Sequence, residues 1–210
     1  MELTVFQIAE GVSRATRAMA GLEQELNAAD AKLGDGDTGS MLARVIGAMA
    51  ASEPQAARSV SDVFGRLARA GMSATGSSLG TLFASSLLAL SKQTREWERV
   101  DWEDLSGLLA AARDGMMARG NAKLGDKTVL DALDAVAAAV AGKVDAEGAA
   151  RAAREAVDRV ILEFRGRPCR MGRAKFFAEK SVGLDDPGML AFAALTKAVA
   201  KIPAKRNLTP

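Results

Sequence analysis

Three carboxylates fall close together in a glycine-rich stretch of the sequence. Asp30, Asp35 and Asp37 lie within eight residues, and Gly34 and Gly36 interrupt the run. Carboxylates this close repel one another, and a bound divalent cation removes the repulsion. Mg²⁺ takes a few carboxylates together with phosphate oxygens and water, while glycines permit tight backbone turns. The spacing therefore indicates a magnesium site, and the alternative is an acidic turn that binds nothing.

Two known signatures overlap this stretch, and neither fits it. Residues 34–39 match the pattern G-x-G-x-x-G. A dinucleotide-binding fingerprint follows a strand, however, whereas a helix is predicted before this loop. An EF-hand needs a glutamate at its twelfth position, and the twelfth residue counted from Asp35 is Ile46. The sequence thus favours neither a Rossmann fold nor a calcium loop.

Two further polar stretches separate apolar segments. Residues 74–80 hold small side chains before a predicted helix. Free N–H groups at such a position meet anions, and the alternative is a tight contact between helices. Residues 120–128 resemble a phosphate-binding loop that lacks its strand. We expect Asp126 or Thr128 to cap the next helix there, and Lys127 is a candidate phosphate contact.

The last polar stretch is basic. Arg173 lies among Arg165, Arg167, Arg170 and Lys175. The planar guanidinium of Arg173 is suited to phosphate, whereas the ordinary alternative is a solvated basic face. Together, the carboxylates, the small-residue helix starts and this basic stretch indicate a Mg²⁺–nucleotide site built on helix ends.

The segments that must position these loops have helical periodicity. Apolar residues recur every three or four positions. Eight helices are predicted to begin near Val5, Met41, Val60, Leu79, Trp102, Val129, Ala149 and Pro187. Asp101 is the expected N-cap of the fifth helix, and Asp186 that of the eighth. Without period-two alternation, the sequence predicts an all-α, single-domain fold over residues 1–210, an eight-helix up-and-down antiparallel bundle or barrel.

Composition excludes several classes of function. The chain has no histidine, which removes histidine-based catalysis and most zinc sites. Its single cysteine, Cys169, excludes an internal disulfide and fits a reducing, cytoplasmic location. The net charge of +2 and aromatic content of 4% argue against nucleic-acid binding. Glycines and serines interrupt the uncharged run at residues 70–91. We therefore expect no membrane span there, and the first residues lack a signal-peptide pattern.

Four ordered motifs resemble those of one kinase family across nearly the whole chain. They are GDGDTG at 34–39, GSSLGTLF at 76–83, GDKTVLDAL at 125–133 and GRAKFFAEKSVGLDDPG at 172–188. With these motifs the chain resembles the nucleotide-binding L subunits of dihydroxyacetone kinases. It departs from the usual family pattern at Met41, Leu79, Lys175, Phe176 and Leu184.

The resemblance implies an eight-helix barrel that binds ATP or ADP at one end through two Mg²⁺ ions. The implied metal ligands are Asp30, Asp35 and Asp37. The implied nucleotide contacts are Thr38, Gly39, Ser40, Met41, Ser78, Leu79, Gly120, Val129, Arg173, Asp186, Pro187 and Gly188. No residue is assigned as a general base, because phosphoryl transfer asks mainly for positioning and charge neutralisation.

The resemblance also implies a division of labour between subunits. In the family, a separate K subunit or domain binds the triose covalently through its own histidine, which agrees with the absence of histidine here. The implied function is the phosphoryl-transfer subunit of a kinase for dihydroxyacetone or a related small ketose. Two modes stay open: ATP exchanges in each cycle, or a phosphotransferase-system protein rephosphorylates bound ADP. The alternative is a non-catalytic, nucleotide-binding regulatory module.

Overall fold

The structure is a computed structural model that describes residues 2–200. Its eight helices are α1 (Val5–Asp30), α2 (Thr38–Ala51), α3 (Val60–Ala74), α4 (Ser78–Gln93), α5 (Leu105–Gly120), α6 (Val129–Ala139), α7 (Ala146–Arg165) and α8 (Pro187–Val199). Within the described residues the only β pairing is an isolated bridge between Glu2 and Asp101. The predicted all-α fold is confirmed.

Local chemistry explains most helix starts. Ser59 caps α3 by accepting the Asp62 N–H, and Thr128, rather than Asp126, caps α6. A side-chain oxygen at this position satisfies one of the N–H groups that the first helical turn leaves free. The second helix begins at Thr38, one turn before the apolar pattern starts at Met41.

The fifth helix begins later than the sequence predicts. Asp101 caps a short 3₁₀ turn, Trp102–Asp104, and α5 follows from Leu105. The Asp104 carboxylate accepts the Asp101 N–H at 2.8 Å, which closes this turn. Asp101 therefore starts the helical segment without being the N-cap of the α-helix itself.

The helices form a closed ring. Each helix from α1 to α7 packs against the next one in the chain, and α8 packs back against α1. The interior is apolar: Leu26, Val45, Val63, Leu108 and Val157, from five different helices, are each 2% exposed or less. Burial of each such side chain contributes roughly 1.5–3 kcal/mol. The arrangement is the helical barrel among the predicted alternatives.

Hydrogen bonds between helix ends show that neighbouring helices run antiparallel. From the middle of α2, Arg44 Nε donates to the carbonyl of Ala74, the last residue of α3, at 2.8 Å. At the start of α3, the hydroxyls of Ser61 and Ser91 each donate to the other's carbonyl, at 2.7 and 2.8 Å. With this alternation, the connections that follow α1, α3, α5 and α7 lie at the same end of the ring.

The uncharged residues 70–91 are divided between two helices of the ring. Their first five residues finish α3, and α4 takes up the run again from Ser78. Among the described residues, no helix is both long and apolar enough to cross a membrane.

Candidate functional site

The acidic loop between α1 and α2 is folded around the side chain of Asp30. This carboxylate, 8% exposed, ends α1. Its Oδ2 accepts the N–H of Asp37 at 3.0 Å and that of Thr38 at 3.3 Å. A Cβ at residue 34 would overlap Asp30 Oδ1, so a larger residue there would displace this carboxylate. The loop is therefore shaped by the same carboxylate that the sequence nominates as a ligand.

The three candidate metal ligands converge. One carboxylate oxygen from each of Asp30, Asp35 and Asp37 lies within 4.8 Å of the other two. Gly36, with φ +78°, makes the turn that separates the last two. Every donor is a hard carboxylate oxygen, which is the set that Mg²⁺ prefers. The residues present thus fit a divalent cation.

Arg173 reaches this cluster from the connection between α7 and α8. Its guanidinium forms an ion pair with Asp35, and both side chains are substantially exposed. An exposed ion pair of this kind stabilises a protein by only about 0–1 kcal/mol. Arg173 is therefore free to exchange Asp35 for a more strongly charged anion at the same place.

A small polar network fixes the first turn of α2 against α1. Ser40 Oγ donates to Glu23 Oε1 at 2.8 Å and accepts from Asn27 Nδ2 at 2.9 Å. The Ser40 N–H donates to Asn27 Oδ1 at 3.1 Å. A Cβ at Gly39 would overlap the Glu23 carbonyl oxygen, so the two helices touch there through backbone. Sequence reasoning missed Glu23, although Glu23, Asn27 and Asp30 lie on one face of α1.

The α3–α4 connection lies against the start of α2. Ser77 caps α4 by accepting the Gly80 N–H at 3.0 Å. A Cβ at Gly80 would overlap Thr75 Oγ1 and would lie 3.1 Å from Met41 Sδ. The Met41 side chain points into the core and is 2% exposed. Of the two predicted contacts here, Ser78 is exposed, whereas Leu79 packs on the core.

The remaining predicted contacts form a second group around the start of α8. Asp186 caps α8 by accepting the Met189 N–H at 2.8 Å, and burial raises the pKa of Asp186 to about 6. A Cβ at Gly188 would lie 3.6 Å from Val129 Cβ, so α8 and α6 begin side by side. Pro187 is buried at the first position of α8.

Two contacts relate these groups to the other loops. A Cβ at Gly120 would lie 3.1 Å from Leu82 Cδ1, which places the end of α5 beside α4. The Arg170 N–H donates to the Asp126 carbonyl at 3.0 Å and ties the α7–α8 connection to the α5–α6 connection. With the Arg173–Asp35 ion pair, that connection joins the acidic loop to the α8 group.

Comparison with known proteins assigns the family. The DAK2 domain matches residues 32–201, most of the chain. This chain belongs to the DAK2 domain family. It is 29% identical over 180 residues to the PTS-dependent dihydroxyacetone kinase, ADP-binding subunit DhaL, of Lactococcus lactis, covering 85% of this chain and 88% of that protein.

Longer proteins contain a region similar to this DAK2 domain. The L-erythrulose 1-kinase of Mycolicibacterium smegmatis is 33% identical over 192 residues, covering 85% of this chain and 32% of that enzyme. The crystal structure of the dihydroxyacetone kinase of C. freundii, in its native form, superposes with a TM-score of 0.74 at 26% identity, covering 92% of this chain and 34% of that one. The chain thus spans most of the Lactococcus subunit and about a third of the longer kinases.

One expectation for this DAK2 domain is wrong. Lys127, a candidate phosphate contact by sequence, is 1% exposed. Its ammonium donates to the carbonyl of Arg165, the last residue of α7, and to three backbone carbonyls of the α7–α8 connection. The resemblance to a phosphate-binding loop misled because the pattern is local, whereas these acceptors are 38 to 57 residues away in the chain.

Proposed function

We propose that this chain binds Mg²⁺–ADP or Mg²⁺–ATP and is the nucleotide-binding subunit of a kinase that phosphorylates dihydroxyacetone or a related small ketose. One observation carries the proposal: three carboxylates converge at the end of α1, and a cationic side chain lies directly beside them. Membership of the DAK2 family supports it, as does similarity to an ADP-binding subunit over 88% of that subunit's length.

The acidic loop suits the electrostatics of phosphoryl transfer. That reaction asks the protein mainly to hold the phosphates and to offset their charge. Bound Mg²⁺ supplies most of that charge neutralisation. Asp30 is held by the Asp37 and Thr38 amides, so its free oxygen is oriented before any ligand arrives. Asp35 and Asp37 are exposed and complete the ligand set from the loop.

Arg173 is the proposed phosphate ligand of the site. It leaves Asp35 when a nucleotide binds and donates to a phosphate oxygen. The guanidinium fork forms stronger hydrogen bonds with phosphate than neutral donors do. Thr38, Gly39 and Ser40 then lie beside the phosphates at the start of α2, the end of the helix that favours negative charge.

The base and sugar of the nucleotide are proposed to bind at the same end of the ring, beside the phosphates. We propose that Ser78, Leu79, Gly120 and Val129 contact them from the α4, α5 and α6 side. Asp186, Pro187 and Gly188 close the pocket from α8, since Gly188 abuts Val129.

The acceptor sugar is proposed to arrive on a separate K subunit. The chain has no histidine and so cannot itself form a histidine-linked sugar adduct. Donor chemistry follows one of two routes: ATP exchanges in each cycle, or ADP stays bound and a phosphotransferase-system protein rephosphorylates it.

The test uses the isolated chain and then the pair. ADP should raise the melting temperature with Mg²⁺ present and much less with EDTA, because a ligand of the native state stabilises it by mass action. A K subunit from the same genome is then added with ATP as the phosphoryl donor, or with bound ADP and a phosphorylated phosphotransferase-system protein, and one of the two donors should give sugar-dependent phosphoryl transfer that saturates with subunit concentration. Nucleotide binding without transfer from either donor would favour the regulatory module. Efficient phosphorylation of free sugar by the chain alone would overturn the two-subunit proposal.

A further inference from the structure

The ammonium of Lys127 holds together two distant parts of the chain. It donates to the carbonyls of Arg167, Ser181 and Leu184 at 2.7, 2.8 and 2.7 Å, and to that of Arg165 at 3.3 Å. The side chain is fully enclosed, with 1% exposure. An ammonium has three protons, so four carbonyls saturate its capacity to donate.

Three of the four acceptors lie on two arms of one connection, and the fourth, Arg165, is the last residue of α7. We call residues 166–186 the α7–α8 segment. It contains only two short 3₁₀ turns, Arg173–Phe177 and Glu179–Ser181, and so satisfies few of its backbone groups by regular structure. Its first arm departs from Arg165 and its second arm returns through Leu184 to α8. Lys127 bonds to both arms, where they pass each other.

A second set of hydrogen bonds, called here the second clasp, joins the same two arms; the first clasp is the set made by Lys127. The Cys169 N–H donates to Ser181 Oγ at 2.7 Å, and that hydroxyl donates to the Ala178 carbonyl at 2.5 Å. Ser181 is fully buried. The Gly183 N–H also donates to the Arg165 carbonyl at 2.8 Å. Between the clasped arms, the segment carries Arg173 out to Asp35.

The backbone of Lys127 indicates that its placement is specific. Its φ is +60°, in the left-handed region that side chains other than glycine seldom adopt. Burying a charge is costly unless it is fully hydrogen-bonded, and here the four carbonyl dipoles provide that solvation. Hydrogen bonds hold the loop on both sides of Lys127: Asp131 accepts the Thr128 N–H at 2.8 Å and the Gly125 N–H, and Asp126 accepts the Lys123 N–H at 2.8 Å.

We propose that Lys127 is a positioning residue: by clasping both arms of the α7–α8 segment, it places Arg173 beside the acidic loop, where Arg173 meets phosphate. This inference rests on the proposed nucleotide-binding function. Lys127 itself touches no nucleotide, because its ammonium is enclosed and saturated. It acts through the segment alone.

The first measurement needs no nucleotide. Lys127→Met removes the ammonium and keeps an apolar stem of similar length, and Lys123→Met changes an exposed lysine of the same loop as the matched control. Amide hydrogen exchange followed by mass spectrometry should be at least tenfold faster across residues 166–184 in Lys127→Met, with α2 and α3 unchanged. Unchanged exchange in the segment would overturn the proposal.

The second measurement separates positioning from a general loss of structure. Lys127→Met should weaken Mg²⁺–ADP about tenfold and adenosine much less, as Arg173→Ala does. Combined with Arg173→Ala, it should cause no further loss, because both changes remove the same phosphate contact. Equal losses for ADP and adenosine, or fully additive losses, would overturn the role.

A folding failure of Lys127→Met and an absence of ADP binding by the unchanged protein lead to different conclusions. If Lys127→Met does not fold by circular dichroism, Ser181→Ala replaces it, since that variant opens only the second clasp and should show the same pattern in weaker form. If the unchanged protein binds no ADP, the proposed function fails, and the inference that rests on it fails with it. In that case faster exchange in the segment would establish Lys127 as a structural clasp alone.

Discussion

Arg173 and Asp35 form an ion pair between two connections that are far apart in the sequence. The arginine belongs to the segment between α7 and α8, and the aspartate to the acidic loop between α1 and α2. Asp35 is also a proposed metal ligand. In the proposed complex this ion pair therefore separates, with the Asp35 carboxylate on the metal ion and the Arg173 guanidinium on the phosphate.

Removal of either exposed carboxylate should abolish the magnesium-dependent response to nucleotide. In Asp35→Asn or Asp37→Asn, the increase in melting temperature caused by Mg²⁺–ADP should disappear, because a neutral amide is a poor substitute for a carboxylate ligand. The helical circular dichroism signal should persist. Glu96→Gln, an exposed change after the end of α4, is the control. A full nucleotide response in both aspartate variants would contradict the metal assignment.

Substitution of Arg173 should discriminate between ligands. Arg173→Ala should weaken ATP by roughly 1.5–3 kcal/mol, the range for a hydrogen bond to a charged group, and adenosine by much less. Arg173→Lys should recover only part of this loss, since lysine lacks the planar fork. Isothermal titration with both ligands measures the difference. Equal losses for ATP and adenosine would mean that Arg173 has only a structural role.

Two glycines of α2 should respond in opposite ways to the same substitution. Gly39→Ala should destabilise the protein by about 1–3 kcal/mol, because the new methyl group overlaps the Glu23 carbonyl. Gly47→Ala should stabilise it by about 0.5–1 kcal/mol, since nothing lies within 4 Å of the new methyl group and alanine favours helix. Urea unfolding measures both values, and similar effects at the two sites would contradict the described contact between α1 and α2.

The buried carboxyl of Asp186 should make stability depend on pH. Its pKa is raised from 3.8 to about 6 by burial, so the folded chain holds this proton more tightly than the unfolded chain. The contribution of Asp186 to the free energy of unfolding therefore falls as pH rises from about 4 to 6, and it is constant above 7. Relative to Asp186→Asn, the unchanged protein should lose roughly 2–3 kcal/mol over that interval.

Urea unfolding at several pH values between 4 and 7.5 provides the measurement. Asparagine also caps helices well, so Asp186→Asn keeps the start of α8. Asp145→Asn, which alters the N-cap of α7, controls for the loss of a capping carboxylate elsewhere. Parallel pH profiles for the unchanged protein and Asp186→Asn would contradict the raised pKa.

The features that local sequence determines were predictable. Asp186 and Pro187 start α8 as expected, because an N-cap and the residue after it act within one helical turn. Asp30, Asp35 and Asp37 converge as expected because they share one short loop. The start of α5 predicted from Asp101 lies a few residues too early, because a 3₁₀ turn uses the same cap as an α-helix.

Features that depend on tertiary contacts were not predictable. Glu23 meets Ser40 across two helices, and no local pattern marks that hydrogen bond. Lys127 lies in a sequence that suggests phosphate, yet its partners come from the far end of the chain. The Arg173–Asp35 pair likewise required the ring to bring two connections to one end.

The closed ring has a consequence for how the molecule opens. Seven of its interfaces join helices that are consecutive in the described chain, whereas the seam between α8 and α1 joins residues as much as 185 positions apart, as in the hydrogen bond from Arg14 to the Val199 carbonyl. Such a seam has the largest entropic cost of closure. Since α1 ends at the acidic loop and α8 begins at Asp186, a nucleotide bound as proposed would contact both helices of this seam. We expect it to slow the separation of α8 from α1 more than it slows local fraying elsewhere in the ring.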